Sequence, residues 1–334
     1  MSSGSPDSGG GDEDGPTDPV TGLRPHLIAV AYRLTGSLAD AEDAAQETWL
    51  RWAGLGDGQR AAVRDVRAWC TTVVGRVCLD RLRSAAARRE HYVGQWLPEP
   101  IVTPLGPGGP SRADDPLDIV VRDDAVRLAA MVVLDTLTPQ QRVAFVLHDA
   151  FALPFDEIAD ILGCSQAAAR QYASRARRAV ADAAPPPRAA QDEQRRILER
   201  FLAAVLTGDV PAVVALLHPE ARFVGDSGGK AQTARQVVVG ADKISRLLVG
   251  LLRRYRPEAF DAAHPVLVNG DLGLHVPSSR GDGDYRDVDE HVQTIAVRDG
   301  LVVAVYDVVN PDKLRSLGSL RSLGSPTSLT PPPR

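Results

Sequence analysis

Residues 137–180, "LTPQQRVAFVLHDAFALPFDEIADILGCSQAAARQYASRARRAV", carry the pattern that decides the fold of the middle of the chain. Thr138 is placed to cap a helix with Pro139 at its first position, and Val143, Phe145, Val146 and Leu147 give that helix an apolar side. "PFDEIADIL" reads as a short second helix. Gly163 and Cys164 form the turn, and Ser165 caps a third helix, so the segment is a helix-turn-helix. The last helix presents Gln166, Arg170, Gln171, Ser174, Arg175, Arg177 and Arg178, and no acid occurs between Cys164 and Ala181. Short polar groups and arginines at the front of a helix suit base edges in a major groove, and trailing arginines suit phosphates. A purely structural three-helix motif is the competing reading.

Upstream, residues 23–52, "LRPHLIAVAYRLTGSLADAEDAAQETWLRW", read as a helical hairpin. Leu27, Val30, Ala31 and Leu34 form one stripe, Gly36 stops it, and Ser37 with Asp40 three residues on predicts a capping box. The second helix sets Asp40, Glu42, Asp43, Gln46 and Glu47 on its polar side, with Trp49, Leu50 and Trp52 near its end. By pattern alone this is a solvated acidic face. Residues 64–90, "RDVRAWCTTVVGRVCLDRLRSAAARRE", are basic: between 60 and 90 there are eight arginines against Asp65, Asp80 and Glu90. Trp69, Arg76, Asp80, Arg81 and Arg83 make this a candidate nucleic-acid helix; a mixed surface helix is the bland alternative.

The chain has 334 residues, 44% hydrophobic and 24% charged, which allows two or three domains, each with a core. Its formal net charge of −5 resides in the first residues, where Asp7, Asp12, Glu13, Asp14 and Asp18 meet no basic side chain. The remainder is near neutral, so the basic stretches count locally. Cys70, Cys78 and Cys164 lie in apolar helical patterns without pairing or metal-ligand spacing, which predicts small buried side chains in a reducing, cytoplasmic setting. No signal peptide or membrane span is read, and the expectation is no cofactor and no metal.

Composition predicts an acidic disordered tail at 1–19, a helical domain at 20–90, a linker at 91–118 whose prolines and glycines forbid regular structure, and the helix-turn-helix domain at 119–183. A further domain spans 191–315 and a Ser/Leu/Gly/Pro tail follows at 316–334. The 191–315 block changes pattern: two amphipathic helices turning at Gly208 and Asp209, a strand at "ARFVGD", a helix at "GADKISRLLVGLLRRY", then strands, the last two joined through Arg298, Asp299 and Gly300. The expectation is an α+β cone with a curved antiparallel sheet. His264, His275, His291, Asp289 and Asp307 could line it, but no spacing fixes an acid–base pair, so no catalytic residue is assigned and the protein is read as no enzyme.

"YRLTGSLADAEDAAQETWLRW", "AWCTTVVGRVCLDRLRS" and the helix-turn-helix, in that order, resemble an extracytoplasmic-function RNA polymerase sigma factor, with two all-α domains corresponding to regions 2 and 4. The third block resembles a SnoaL-like α+β cone. "WLPEP" (Trp96, Leu97, Pro98, Glu99, Pro100), "GDSGGK" (including Asp226, Gly228, Gly229, Lys230) and "NPDKL" (Asn310, Pro311, Asp312, Lys313, Leu314) resemble the motifs of sigma factors with such an extension.

The resemblance implies an alternative sigma factor that directs core polymerase to promoters and is regulated in cis by its cone. It implies that Asp40, Glu42, Asp43, Gln46 and Glu47 dock on the clamp helices of the largest polymerase subunit. Trp69, Arg76, Asp80, Arg81 and Arg83 would read the minus ten element, with Arg76 standing where many members have Asn. Ser165, Gln166, Arg170, Gln171, Ser174, Arg175 and Arg178 would read the minus thirty-five element. Partners are therefore promoter DNA and core polymerase, including the flap of its second-largest subunit, with no membrane and no need of a separate anti-sigma protein. The alternatives are a one-component helix-turn-helix regulator with a ligand-sensing cone and a SnoaL-type enzyme with a DNA-binding appendage. Neither needs the first helical block. The "WLPEP" strip, stiffened by its prolines, is expected to dock on the cone near "GDSGGK" or "NPDKL".

Overall fold

Tyr32, on the first helix, is completely buried, and its hydroxyl sits between groups from two distant parts of the chain, the Glu99 carbonyl and the Asn269 amide. How those parts come together is visible in a computed structural model that describes residues 19–89, 92–105 and 126–319. Residues 1–18 of the acidic tail, half of the expected linker (91 and 106–118) and the C-terminal tail from 320 lie outside the described residues.

Four helices come first: α1 (Arg24–Thr35), α2 (Leu38–Ala53), α3 (Asp57–Ala62) and α4 (Val66–Arg89). Gly36, at φ 69°, ends α1 in the left-handed conformation that glycine adopts without a Cβ penalty. Ser37 caps α2 by accepting from the Asp40 N–H at 3.2 Å. The expected capping box is incomplete: the Ser37 N–H donates to the Thr35 hydroxyl at 3.3 Å rather than to Asp40, and Glu99 from the linker accepts the next donor, the Leu38 N–H, at 2.8 Å. The next four helices are α5 (Leu128–Asp135), α6 (Pro139–Phe145), α7 (Phe155–Leu162) and α8 (Gln166–Ala183). Thr138 and Gln141 make the capping box that starts α6, whose end widens into a π turn over Val146–Ala150. Gly163 at φ 67° makes the turn, and Ser165 caps α8 through the Ala168 N–H.

The two helical blocks share one core. Gly75 of α4 lets them approach closely: a Cβ there would lie 3.0 Å from Leu147 and 3.4 Å from Ile161. Thr72 donates to Glu157 at 3.1 Å, and the buried Arg142 guanidinium donates to the Arg33 carbonyl and to Asp135, each at 3.1 Å. Cys70 and Cys78 are buried as expected, whereas Cys164, at the turn, is half-exposed.

The third block contains α9 (Gln191–Thr207), α10 (Val210–Leu216) and α11 (Ala241–Leu252) over a seven-stranded sheet in the order β1-β4-β5-β6-β7-β2-β3. The strands are β1 (Val102–Pro104), β2 (Leu217–Asp226), β3 (Val238–Val239), β4 (His264–Val268), β5 (Asp271–Val276), β6 (His291–Arg298) and β7 (Leu301–Val308). Two expectations are corrected. β1 belongs to the stretch expected to hold no regular structure: Val102–Pro104 pair antiparallel with β4 as an edge strand, where a proline costs no ladder bond. The sheet is mixed, because β2 runs parallel to β7.

Period-two alternation gives the sheet two apolar faces. Leu272, Leu274, Ile295 and Val305 face α9, α10 and α11 and close the cone. Val266, Val268, Val292, Ala304 and Val308 face the other way, where Leu97 of the linker, Leu128 and Ala129 of α5, and Leu314 and Leu317 cover them. The cone therefore has its outer face buried by the helical blocks and their linker.

The turn between β4 and β5 fixes this arrangement. Asn269, fully buried and at φ 52°, donates through Nδ2 to the Tyr32 hydroxyl (2.8 Å) and the Val126 carbonyl (2.6 Å), and its Oδ1 accepts the Ile101 N–H (3.0 Å). Replacing Asn269 with Gly keeps the backbone conformation and removes only the side chain. We expect a loss of about 3 kcal/mol from unsatisfied buried partners, read as a lower unfolding midpoint and faster proteolysis between the blocks.

Candidate polymerase and promoter interface

Each group of residues singled out from the sequence occupies its own surface. On α2, Glu42, Asp43 and Gln46 are exposed in a row that continues into Trp49 and Leu50, two of the few large apolar side chains left in solvent. Glu47 pairs with Arg51 at 2.6 Å. Asp40 is partly covered because Arg81 of α4 reaches it at 2.8 Å and Asp43 at 3.5 Å. Arg81, grouped by sequence with the DNA-facing residues, is thus turned toward the acidic helix.

Arg76, Asp80 and Arg83 remain exposed along one side of α4, with Arg83 3.7 Å from Asp80. Trp69 is half-buried and meets Trp52 edge-to-face at 5.4 Å, so much of its ring area is already used in packing. On α8, Ser165, Gln166, Arg170, Gln171, Ser174, Arg175 and Arg178 are all exposed, whereas Ala169, Ala173 and Ala176 are buried. Small residues on the inner face let α8 sit close to α6 while its polar face stays open. Arg177 folds back to Asp149 at 2.7 Å.

The three short motifs meet at one place. Asp226, fully buried at the end of β2, accepts the Leu97 N–H at 2.7 Å and the Lys313 ammonium at 2.6 Å, and the Tyr92 hydroxyl donates to its other oxygen. Lys313 also donates to the Leu97 carbonyl and lies 4.1 Å from the centre of the Trp96 ring. The rim of the Trp96 ring rests on Gly36, where a Cβ would come within 2.7 Å of it. Gly228 and Gly229 permit equally close approach: Cβ atoms there would lie 2.5 Å from Asn310 and 3.0 Å from Val93. Asn310 donates to the Tyr92 hydroxyl at 2.8 Å, and Lys230 pairs with Asp312 on the rim. Pro98, Pro100 and Leu314 are buried, and Pro311 is exposed.

Burial pushes the Glu99 carboxyl upward against the hydrogen bonds from Leu38 and Ser37 that favour its charge. Residue patterns missed Tyr92, whose hydroxyl bridges two motifs. They also missed the buried pair of Arg127 and Asp271 at 2.7 Å, where Arg188 approaches the same carboxylate at 3.4 Å.

An acidic helix bearing exposed apolar residues, a helix with exposed arginines and an open helix-turn-helix helix, joined in this order on one chain, define a transcription initiation factor of the sigma class. The comparisons agree: the model for Sigma-70 region 2 matches residues 20–88 and that for Sigma-70 region 4 matches 127–180. The ECF RNA polymerase sigma factor SigJ of Mycobacterium tuberculosis is 52% identical over 294 residues, 87% of this chain and 90% of the relative. The ECF RNA polymerase sigma factor SigG of the same organism is 33% identical over 230 residues, 63% of this chain and 60% of that relative. The crystal structure of M. tuberculosis SigJ aligns with a TM-score of 0.72 at 50% identity, covering 87% of this chain and 95% of that one.

The chain belongs to the extracytoplasmic-function (ECF) RNA polymerase sigma factors and carries an α+β domain with a seven-stranded sheet after regions 2 and 4. As a sigma factor it binds core RNA polymerase and promoter DNA to start transcription, a role of recognition rather than catalysis. No helix among the described residues is long and apolar enough to cross a membrane.

The contact between the two sigma regions carries a titratable group. His26 of α1 donates from Nε2 to Thr71 at 2.8 Å and accepts from Arg67 at Nδ1 at 3.0 Å, with its ring edge-on to Phe151 of the second block. Burial, then the charges of Arg67 and Arg33, lower its pKa from 6.5 to about 4. The fold holds the neutral ring, so this contribution is full above pH 6.5 and is lost as pH falls toward 4. Discounted for its partial exposure, it amounts to about 2 kcal/mol. Acidification from neutral pH to about 5 should therefore lower the melting midpoint of the parent more than that of His26→Gln, as measured by calorimetry.

Proposed function

We propose that this structure is a latched form of the sigma factor, in which the SnoaL-like domain and the "WLPEP" strip hold regions 2 and 4 together and restrain promoter engagement. The observation that carries the reading is the shared core of the two regions, closed over Gly75 and clasped by Asp226 and Lys313 around Leu97. Elements centred at minus ten and minus thirty-five lie about 25 base pairs apart, on the order of 85 Å at ~3.4 Å per step. Two regions that share one core cannot span that distance, so engaging both elements requires them to separate. The SnoaL-like domain works at the high effective concentration of a tethered partner, so modest contacts suffice to set the balance.

Within that reading, Asp40, Glu42, Asp43, Gln46 and Glu47, with Trp49 and Leu50 beside them, meet the clamp helices of the largest polymerase subunit, and region 4 meets the flap of the second-largest. Arg81, bound to Asp40 in the latched form, is exchanged on opening. The exposed Arg76, Asp80 and Arg83, with Trp69, face the minus ten element, and the exposed face of α8 faces the minus thirty-five element. The chain works in the cytoplasm, where the polymerase is.

Transcription with purified core polymerase tests this. The parent should direct initiation from its promoter, and the Trp96→Ala/Leu97→Ala variant should raise the yield several-fold while becoming more sensitive to protease between the regions. Unchanged yield and unchanged proteolysis would return the strip to the role of spacer. In the same assay Arg175→Ala should weaken promoter-specific initiation and shallow the salt dependence by about one phosphate contact. Charge reversal at Glu42 and Asp43 should instead abolish co-purification with core polymerase.

A further inference from the structure

Alternate side chains of β5 point to opposite faces of the sheet. Leu272 and Leu274 face inward, so Asp271 and His275 face outward. Of the five polar residues expected from sequence to line the cone, His291, Asp289 and Asp307 border the cavity inside it. His275 and its neighbour His264, 3.2 Å away, lie on the outer face instead. Asp271 stands at the other end of the same strand, and its partners come from both ends of region 4.

Region 4 begins at Arg127, and its last helix, α8, ends at Ala183. Arg127 donates from Nε to Oδ2 of Asp271 at 2.7 Å and from Nη1 to the Pro186 carbonyl at 2.6 Å. Arg188, just beyond, lies 3.4 Å from Oδ1 of the same carboxylate and donates to the Asn269 carbonyl at 3.2 Å. Gln194 of α9 donates to Oδ1 at 3.3 Å and accepts the Leu272 N–H at 2.7 Å. One carboxylate of the cone therefore gathers the residue that enters region 4 and the residues that follow it. Arg127 and Asp271 are each only 4% exposed. Next in the chain, Leu128 and Ala129 are buried against the outer face of the sheet.

The linker side is built differently. Between α4 and Arg127 run the 37 residues 90–126, a reach on the order of 125 Å at ~3.4 Å per residue. Between α8 and α9 run only the seven residues 184–190, a reach of about 24 Å on the same scale. The first segment can span the distance between two promoter elements, and the second cannot. The contacts follow the same division. Region 2 reaches the cone through the hydrogen bond from Asn269 to Tyr32, and the strip reaches it through Leu97 on Asp226. The cation paired with Asp226 is Lys313, which belongs to the cone as well, so departure of the strip leaves that charge paired. Departure of region 4 would break a buried ion pair and bare Leu128 and Ala129, which is far costlier than exchanging neutral hydrogen bonds for water.

We propose that Arg127 and Asp271 are positioning residues that make region 4 and the cone one body, so that on the reading that regions 2 and 4 part, the cone travels with region 4. The cone then sits at the upstream end of the promoter, with region 4, and away from the minus ten element.

The test is double electron–electron resonance on the full chain carrying Cys164→Ser, with nitroxides at exposed positions; Cys70 and Cys78 are fully buried. Asp57→Cys with Gly250→Cys reports region 2 against the cone, and Asp160→Cys with Gly250→Cys reports region 4 against the cone; a Cβ at Gly250 meets open space. Core polymerase and promoter DNA should lengthen the first distance by more than about 15 Å, a small part of the ~85 Å between the elements at ~3.4 Å per step, and change the second by less than about 5 Å. Asp271→Asn should leave the second distance unchanged in the free chain and broaden it in the polymerase complex. A second distance that lengthens as much as the first, or that lengthens while the first stays fixed, would overturn the proposal, as would a second distance equally sharp in Asp271→Asn. If neither distance changes, the regions do not part, and the latch reading falls together with this one. Should Asp271→Asn fail to fold, Arg127→Lys, which keeps the charge but cannot bridge Asp271 and Pro186, gives the same comparison.

Discussion

One buried amide governs how the parts of this protein meet. Asn269 occupies a left-handed position in the β4–β5 turn, and its side chain satisfies groups from α1, from the linker and from the start of the second helical block. Each partner is buried, so each would carry the full cost of desolvation if the amide were withdrawn. The Tyr32 hydroxyl, having accepted from Asn269, donates to the Glu99 carbonyl at 2.7 Å, and the Glu99 side chain in turn caps α2. A turn in the cone is thereby connected, through two residues, to the N-terminus of the helix that bears the acidic face. A chain of this kind is all-or-none in character, because removing any member leaves its neighbours buried without partners.

The linker turns that point contact into an enclosure. Between Tyr92 and Pro104 the strip touches the Asp226 carboxylate, the outer face of the sheet, the end of α1 and finally the β4 edge, as the strand β1. Pro98 and Pro100 remove backbone donors at buried positions and limit the entropy lost on docking, which is why so short a segment can hold three bodies. Trp96 is the member that touches both sides, with Gly36 against the rim of its ring and the Lys313 ammonium 4.1 Å from the ring centre.

Local chemistry was readable in advance where it decides structure within a few residues. The caps at Thr138 and Ser165, the stops at Gly36 and Gly163 and the Asp299–Gly300 hairpin turn, at φ 51° and 75°, all follow from side chains acting on their own backbone. The alternating exposed and buried residues of α8 were legible for the same reason. What the sequence could not reveal was chemistry completed by distant partners. Asp40 looked like the second half of a capping box, but a basic side chain from α4 took it and the Ser37 N–H turned to the Thr35 hydroxyl. Val102–Pro104 lack the length to read as a strand; they become one only because β4 offers an open edge. The parallel β2–β7 pairing and the Arg127–Asp271 pair, separated by 144 positions, leave no local trace.

The end of β2 is where the cone's two faces are tied to each other. Consecutive strand residues point to opposite sides of a sheet, so Gly225 faces the cavity and Asp226 faces the helical blocks. Gly225 is pressed against Thr233, where a Cβ would lie 2.3 Å away, and Thr233 holds the Asp307 carboxylate. Asp226 holds Leu97 and Lys313. Beside them, Gly225 pairs with Asp307 and Asp226 with Val308 in the same ladder. The loop that supplies Thr233 inside the cone is the loop whose glycines make room for Asn310 and Val93 outside it. A shift of this loop by a few tenths of an ångström would be felt on both faces, because neither side has space to absorb it.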